Sequence, residues 1–483
     1  MSKETTDNET GAATEGESRK DDQILKCRDD KAPIVLRKDN EASGEEVAFR
    51  LAEGSSCSWL TKEESVGPDK LRPRIEPWLT ALFQSEHFSL LVGSGLTHAL
   101  HWMAAGKGLP GMGQATLSHY ADEIDAEAKR SADAAGRAEG NIEDQFRVAN
   151  DLLRGLEIVA RNDEALKAKA TSLKGELVTV LDKFAKSILE GERGVISAAQ
   201  EKLEISLNYL VSFLMSFASR TGTRDRLQIF TTNYDRFIEL GAEVAGLHLL
   251  DRFVGTLAPI FRSSRLDIDM HYNPPGIRGE PRYLEGVARF TKLHGSVDWV
   301  DAARNIRRVN VPFGAESVTP YLTAPGLHGV DALQLMIYPN AAKDRETAAY
   351  PYVELFRDFA AAVCRPNSTL VTFGYSFGDE HINRVIEDML TIPSTHLVVI
   401  SHSDPLGRIM QTYTRLGRHA QVSLLIGTHL GDFGTLVDYY LPKPAIDRTT
   451  FRMAELLKAR WGATQAQPAA DAKTPSAEEG LEQ

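Results

Sequence analysis

The stretch Phe88-Ser-Leu-Leu-Val-Gly-Ser-Gly-Leu-Thr97 decides how the rest of the chain is read. Phe88 to Val92 is a short apolar run, long enough for one buried strand. It passes directly into Gly93-Ser94-Gly95, where two glycines let the backbone turn tightly and bring its N–H groups to a phosphate with no Cβ in the way. Leu96 to Trp102 has the pattern of a helix start, whose first N–H groups would face the same phosphate. A strand, a Gly-x-Gly and a helix also make an ordinary tight turn, so a nucleotide reading needs support from elsewhere in the chain.

Three later stretches supply it: Thr231-Thr232-Asn233-Tyr234-Asp235, Lys292-Leu293-His294-Gly295-Ser296, and Gly374-Tyr375-Ser376-Phe377-Gly378-Asp379-Glu380-His381-Ile382-Asn383. Each follows an apolar, β-prone run. Polar residues at the carboxyl ends of several strands are what a ligand crevice in an open α/β sheet requires. A histidine side chain can serve as a general base near neutral pH, which makes His294 a candidate, and Asn233 carries both a donor and an acceptor for holding a water or a hydroxyl. Each has a bland counterpart: a histidine after a strand is commonly structural, and Asn233, Asp235 and Asp379 also suit turns or helix caps.

Composition narrows the class. At 42% hydrophobic and 25% charged over 483 residues, the chain reads as globular, with length for about two to three domains. A net charge of -12 argues against a surface that coats nucleic acid, and no direct nucleic-acid binding is expected. No run of about 18 apolar residues occurs, so no membrane span is expected. The N-terminus is polar and charged, unlike a secretory leader. Cys27, Cys57 and Cys364 are far apart, which leaves no disulfide framework and no four-cysteine zinc site. A reducing cytoplasm is the natural location.

Taken in order, residues 1 to about 45 read as a solvated tail, extending mostly disordered to about residue 70, with Ile34-Val35-Leu36 as its one apolar patch. Arg72 to Gln84 reads as a helix with Pro73 and Pro77 before it or in its first turn. Residues 141 to 220 are almost wholly helical in pattern and read as an insertion between the first and second sheet strands. Strands are expected at Leu227–Phe230, Phe290–Leu293, Leu333–Tyr338, Thr369–Phe373, Leu397–Ile400 and Val422–Ile426, with helices between many of them. That alternation implies an α/β fold: a Rossmann-like parallel sheet with helices on both faces. The main domain would span 71–440, followed over 441–483 by a C-terminal helix and a disordered tail.

Together, Gly93-Ser-Gly-Leu-Thr97, Gly108-Leu-Pro110, Asn141-Ile-Glu-Asp144, the Thr231–Asp235 and Lys292–Ser296 segments and the Gly374–Asn383 segment resemble the sirtuin fold, and within it the sirtuin-like proteins of bacterial anti-phage defence. The resemblance covers roughly residues 75 to 440. It implies an NAD+ hydrolase that cleaves the nicotinamide–ribose bond and depletes NAD during infection. In that reading Asn233 and His294 are catalytic. Gly93, Ser94, Gly95, Thr97, Thr232, Asp235, Gly374, Ser376, Asp379 and Asn383 bind the dinucleotide, Asp235 in the nicotinamide pocket and Ser376, Asp379 and Asn383 near the adenosine. NAD is the substrate and no metal is implied. The insertion carries more apolar helical surface than one sheet edge needs and a toxic hydrolase needs control, so a homo-oligomer larger than a dimer is expected; the resemblance adds a controlling partner, an activating ATPase of the HerA family or another defence protein. Protein-deacetylating sirtuins differ from this chain in carrying a zinc module, in a Phe-Arg pair that is missing from residues 98 to 120, and in a Gln where Thr232 stands. A non-catalytic module that binds NAD or ADP-ribose, or an NAD-dependent protein deacylase, are the alternatives.

Overall fold

A computed structural model describes residues 22–39, 47–109, 113–134, 139–220, 224–272, 282–302, 305–323, 326–327, 330, 332–335 and 350–443. Its centre is a ten-stranded sheet. The strands in chain order are β1 (Gln23–Lys26), β2 (Ile34–Lys38), β3 (Phe49–Leu51), β4 (His87–Val92), β5 (Gln228–Thr231) and β6 (His248–Leu250). Four short strands follow: β7 (Phe253–Val254), β8 (Ile260–Phe261), β9 (His271–Tyr272) and β10 (Arg282–Tyr283). Then come β11 (Val287–Lys292), β12 (Trp299–Ala302), β13 (Asn305–Arg308), β14 (Ser368–Phe373), β15 (His396–Ser401) and β16 (Val422–Ile426). The main sheet has the order β3-β2-β1-β16-β15-β14-β4-β5-β11-β6. From β16 to β6 all neighbours are parallel, and β1, β2 and β3 extend the β16 edge antiparallel.

Helices cover both faces, as the alternation of strands and helices implied. They are α1 (Pro68–Phe83), α2 (Ser94–Ala105), α3 (Ala121–Ala134), α4 (Ile142–Val159), α5 (Glu164–Ile196), α6 (Gln200–Ala218), α7 (Phe237–Ala245), α8 (Tyr352–Val363), α9 (Glu380–Leu390) and α10 (Arg408–Leu416). The two-residue period of the strands sorts their side chains into two cores. Phe88, Leu90 and Val92 pack with α1, α2, α6 and α7, whereas Leu91 packs with α8, α9 and α10. In β14, Val371 and Phe373 face the first core and Leu370 the second. Strands buried on both faces explain the near-continuous apolar runs in the sequence.

Residues 22–39 and 47–70 depart from the expected tail. Ile24 pairs with Ile426 and Val35 with Ile24, so the Ile34-Val35-Leu36 patch is a strand of the main sheet. The edge of β16 satisfies the β1 ladder, which this polar segment could not achieve alone. The α1 helix also begins earlier than its pattern suggested. Pro68 occupies its first turn, and Pro73 and Pro77 lie inside it. Each interior proline costs about 3 kcal/mol. Burial of Leu71, Ile75, Leu79 and Phe83 on one face offsets this at about 1.5–3 kcal/mol per side chain.

The helical insertion lies between β4 and β5, which are neighbours in the sheet. It divides in two. Helix α6 belongs to the first sheet core, while α4 and α5 build a third core with Tyr234, Val297, Val300 and residues of the 305–335 region. Much of the insertion's apolar surface is buried within the chain, while Ile158, Val159, Ile196 and Ile205 stay exposed. The strand expected at Leu333–Tyr338 is a short 3-10 turn through Gln334 with a single bridge from Leu335 to Val300, and its remainder lies outside the described residues. The segment proposed as a C-terminal helix lies outside them as well, beyond Lys443.

Candidate active site

The order of strands reverses between β4 and β14: the chain moves from β4 to β5 on one side and later returns to β14 on the other. A ligand crevice in a doubly wound sheet forms at such a point, beyond the carboxyl ends of the strands. Here the residues at those ends are Gly93 after β4, Asn233 after β5, His294 after β11 and Gly374 after β14. All four sequence motifs therefore meet in one place.

The glycine turn is engaged by protein. Gly93 N–H donates to the Phe373 carbonyl at 2.9 Å, and Gly95 N–H to the Gly374 carbonyl at 3.1 Å. A Cβ on Gly95 would stand 2.5 Å from Gly374 Cα, and one on Gly93 would stand 2.4 Å from Gly374 O. These glycines let two backbones touch. The expectation that both amides face a pyrophosphate is met by a different arrangement, in which the β14 loop takes them.

Asn233 is buried, and its amide nitrogen donates to Gly93 O at 2.9 Å and to Thr97 Oγ1 at 3.1 Å. Thr97 Oγ1 in turn donates to Asp235 Oδ2 at 2.5 Å. Thr97, Asn233 and Asp235 thus form one chain of hydrogen bonds at the head of α2. Burial raises the Asp235 carboxyl above its usual pKa, against the Lys292 charge and the Thr97 hydrogen bond. Thr232 is half-buried, and its N–H donates to Val92 O at 3.2 Å.

His294 is also buried, and its Nε2 lies 2.8 Å from Asp379 Oδ2. Asp379 is the N-cap of α9, its other oxygen accepting from His381 N–H at 3.0 Å. One carboxylate therefore fixes a helix end and a histidine, joining β11 to the β14 loop across two intervening strands. With Asp379 ionised, Nε2 carries the proton and Nδ1 is left as the basic nitrogen.

The β14 loop holds itself together. Asn383 donates to Phe377 O at 2.9 Å and accepts from the Tyr375 hydroxyl at 3.1 Å. Its side chain thus braces the loop, where the sequence reading had it near an adenosine. Ser376 is exposed and available to a ligand. Gly374 and Phe377 are both left-handed, with φ of 60° and 54°; for Phe377 this is a strained conformation that the surrounding bonds maintain.

Sequence reasoning gave no role to Lys292, Tyr375, Glu143 or Glu192. Lys292 is buried at the end of β11, donating to Asp235 O and to Glu239 Oε1 at 3.1 Å. A lysine interrupting the apolar run Phe290-Thr-Lys-Leu293 was the available signal. Among the described residues no group of three or more His, Cys, Asp or Glu side chains is placed to hold a metal ion, and no helix is long and apolar enough to cross a membrane.

Residues 227–416 match the SIR2-like domain. The match begins at the residue before β5 and ends with α10, so it contains the Asn233, His294 and Asp379 motifs. The glycine turn and the helical insertion lie outside it. It supports a sirtuin-like family member and, with it, use or binding of NAD. No curated protein matches the chain. The SIR2-like segment thus holds three of the four strand ends at the crevice, and β4 contributes the fourth.

Proposed function

We propose that this protein is an NAD+ hydrolase that cleaves the nicotinamide–ribose bond and releases nicotinamide and ADP-ribose. The observation that carries the reading is the pair of anchored polar side chains at adjacent strand ends: Asn233 held by Gly93 O and Thr97, and His294 held by Asp379. Cleavage of this bond builds positive charge on the ribose and expels neutral nicotinamide, so the leaving group needs no strong acid. It needs a base near a ribose hydroxyl or an attacking water. His294 serves through Nδ1, with the Asp379 carboxylate stabilising the imidazolium that forms. Asn233 orients the water or hydroxyl. Asp235, whose carboxyl burial raises above its usual pKa, faces the nicotinamide carboxamide.

The cellular reading rests on the resemblance: NAD depletion in anti-phage defence, with the enzyme silent in uninfected cells, controlled by its assembly state or by a partner, and an ATPase of the HerA family as the activator.

The test is nicotinamide release from NAD+ by the purified full-length protein with no peptide present, which also separates hydrolysis from deacylation. His294→Ala and Asn233→Ala should each lower the rate by about 10²–10⁴-fold. Full activity in His294→Ala sinks the assignment.

A further inference from the structure

The motif Asn141-Ile-Glu-Asp144 has no part in the chemistry above, and it lies on the insertion. The capping pair of Asn141 and Asp144 explains two of its residues: each side chain accepts from the other's backbone N–H at 3.0 Å. Glu143 remains. Its Oε1 accepts from the Tyr234 hydroxyl at 2.9 Å.

Tyr234 stands in the middle of the candidate catalytic loop, where side chains alternate between two sides. Asn233 and Asp235 turn towards α2 and Thr97. Tyr234 and Arg236 turn into the insertion. Arg236 is clamped by Glu192 of α5, through Nε at 3.0 Å and Nη2 at 2.6 Å, in a buried ion pair that fixes the far end of the loop. The Tyr234 ring packs edge-on against Phe184 at 6.0 Å and lies 6.5 Å from the His294 ring. Its carbonyl accepts from Val297 N–H at 3.0 Å and from Ser296 Oγ at 3.3 Å, tying the loop to the His294 segment. Burial and the adjacent Glu143 carboxylate hold the Tyr234 phenol well above its usual pKa, so it stays protonated and donates.

We propose that Glu143 is a positioning residue: by holding the Tyr234 hydroxyl, the helical insertion sets where Asn233 stands relative to His294. The loop backbone is anchored at Thr231, at Arg236 and through the Tyr234 carbonyl, and the Tyr234 hydroxyl is its link to α4. The Glu143 hydrogen bond fixes the direction of the Tyr234 side chain and couples the loop to the insertion. A displacement of α4 is thereby transmitted to Asn233 with Arg236 as the fixed end. The activity readout rests on the hydrolase reading, but the geometry of the loop does not.

The alternative role for Glu143 is that of an acidic residue in the first turn of α4, where it favours the helix dipole. Three variants of the full-length protein separate the two roles. Tyr234→Phe removes only the hydroxyl, Glu143→Leu removes the acceptor, and Glu143→Gln keeps an acceptor oxygen while losing the charge. Positioning requires Tyr234→Phe and Glu143→Leu to lower kcat by about 10–100-fold with KM within about threefold, while Glu143→Gln stays within about threefold of wild type. Amide hydrogen exchange over residues 232–236 should quicken in the two damaging variants, with β14 unchanged. A dipole role predicts loss of melting temperature in both Glu143 variants with unaltered kcat and unaltered exchange in the loop, and that result overturns the proposal. If the wild-type protein releases no nicotinamide, the hydrolase reading fails, and the exchange rates alone decide the positioning claim.

Discussion

Replacing Gly95 by alanine tests what the glycine turn is for. A methyl group at that position would sit 2.5 Å from Gly374 Cα, 3.2 Å from Gly374 O and 3.3 Å from Gly374 C. All three are backbone atoms, so no side chain can swing aside, and the two loops must part. Inserting one carbon into a packed interior costs about 1–3 kcal/mol, and with backbone on both sides the upper end applies, about 3 kcal/mol. Gly374→Ala meets the same contact from the other side, its Cβ 2.5 Å from Gly95 Cα, and adds the strain of a φ of 60°. That strain is about 1–2 kcal/mol, so Gly374→Ala should be the more damaging of the two. The double variant should cost less than the sum, because the second methyl enters a gap already opened. Denaturant midpoints of the full-length protein, with the slope checked for constancy, measure all three, and NAD affinity by calorimetry is followed in parallel. Wild-type stability in Gly95→Ala together with lost NAD affinity would refute the reasoning, since the glycine would then serve the approach of a ligand.

The two oxygens of Asp379 can be separated. Asp379→Asn keeps an acceptor for His381 N–H, whereas Asp379→Ala loses the cap, worth about 1 kcal/mol; the alanine variant should melt lower. Both should lose roughly 10²-fold in kcat, because an asparagine amide facing Nε2 reverses the histidine tautomer and an alanine removes the carboxylate partner of Nε2 altogether; full activity in Asp379→Asn would show that His294 does not use this carboxylate. A pH effect follows from His396, whose pKa burial lowers to about 4. Trp78 Nε1 donates to Ser423 Oγ at 2.9 Å, so the serine proton is left to face His396 Nε2 at 2.8 Å, an arrangement suited to neutral imidazole. The unfolded chain binds this proton near pH 6.5 and the folded one only near 4. The stability that neutral His396 contributes is therefore complete above pH 6.5 and lost as the pH falls towards 4, by about 3 kcal/mol. His396→Gln should flatten the stability profile in that window, and an unchanged slope would count against it.

The sequence by itself determined the parallel sheet and the strand ends that meet at its crevice. Apolar runs such as Phe88–Val92 and Ser368–Phe373 admit few alternatives when each is followed by glycine and polar residues and then a helix. Asn233 and His294 were legible for the same reason, since strands of a parallel sheet all present their carboxyl ends on one side. The partners of those residues were not legible. Asp379 reaches His294 from 85 positions away, and Glu192 reaches Arg236 across α6 and β5, contacts fixed by how helices pack and not by any local period. The N-terminal strands show the same limit: Gln23–Lys26 lacks the apolar content to order itself, and only the open edge of β16 provides its hydrogen bonds. The glycine turn shows it most directly. Its residues announce a close approach of backbone to something, and only the tertiary structure decides that the something is Gly374, because a missing Cβ makes room equally for a phosphate and for another strand's loop.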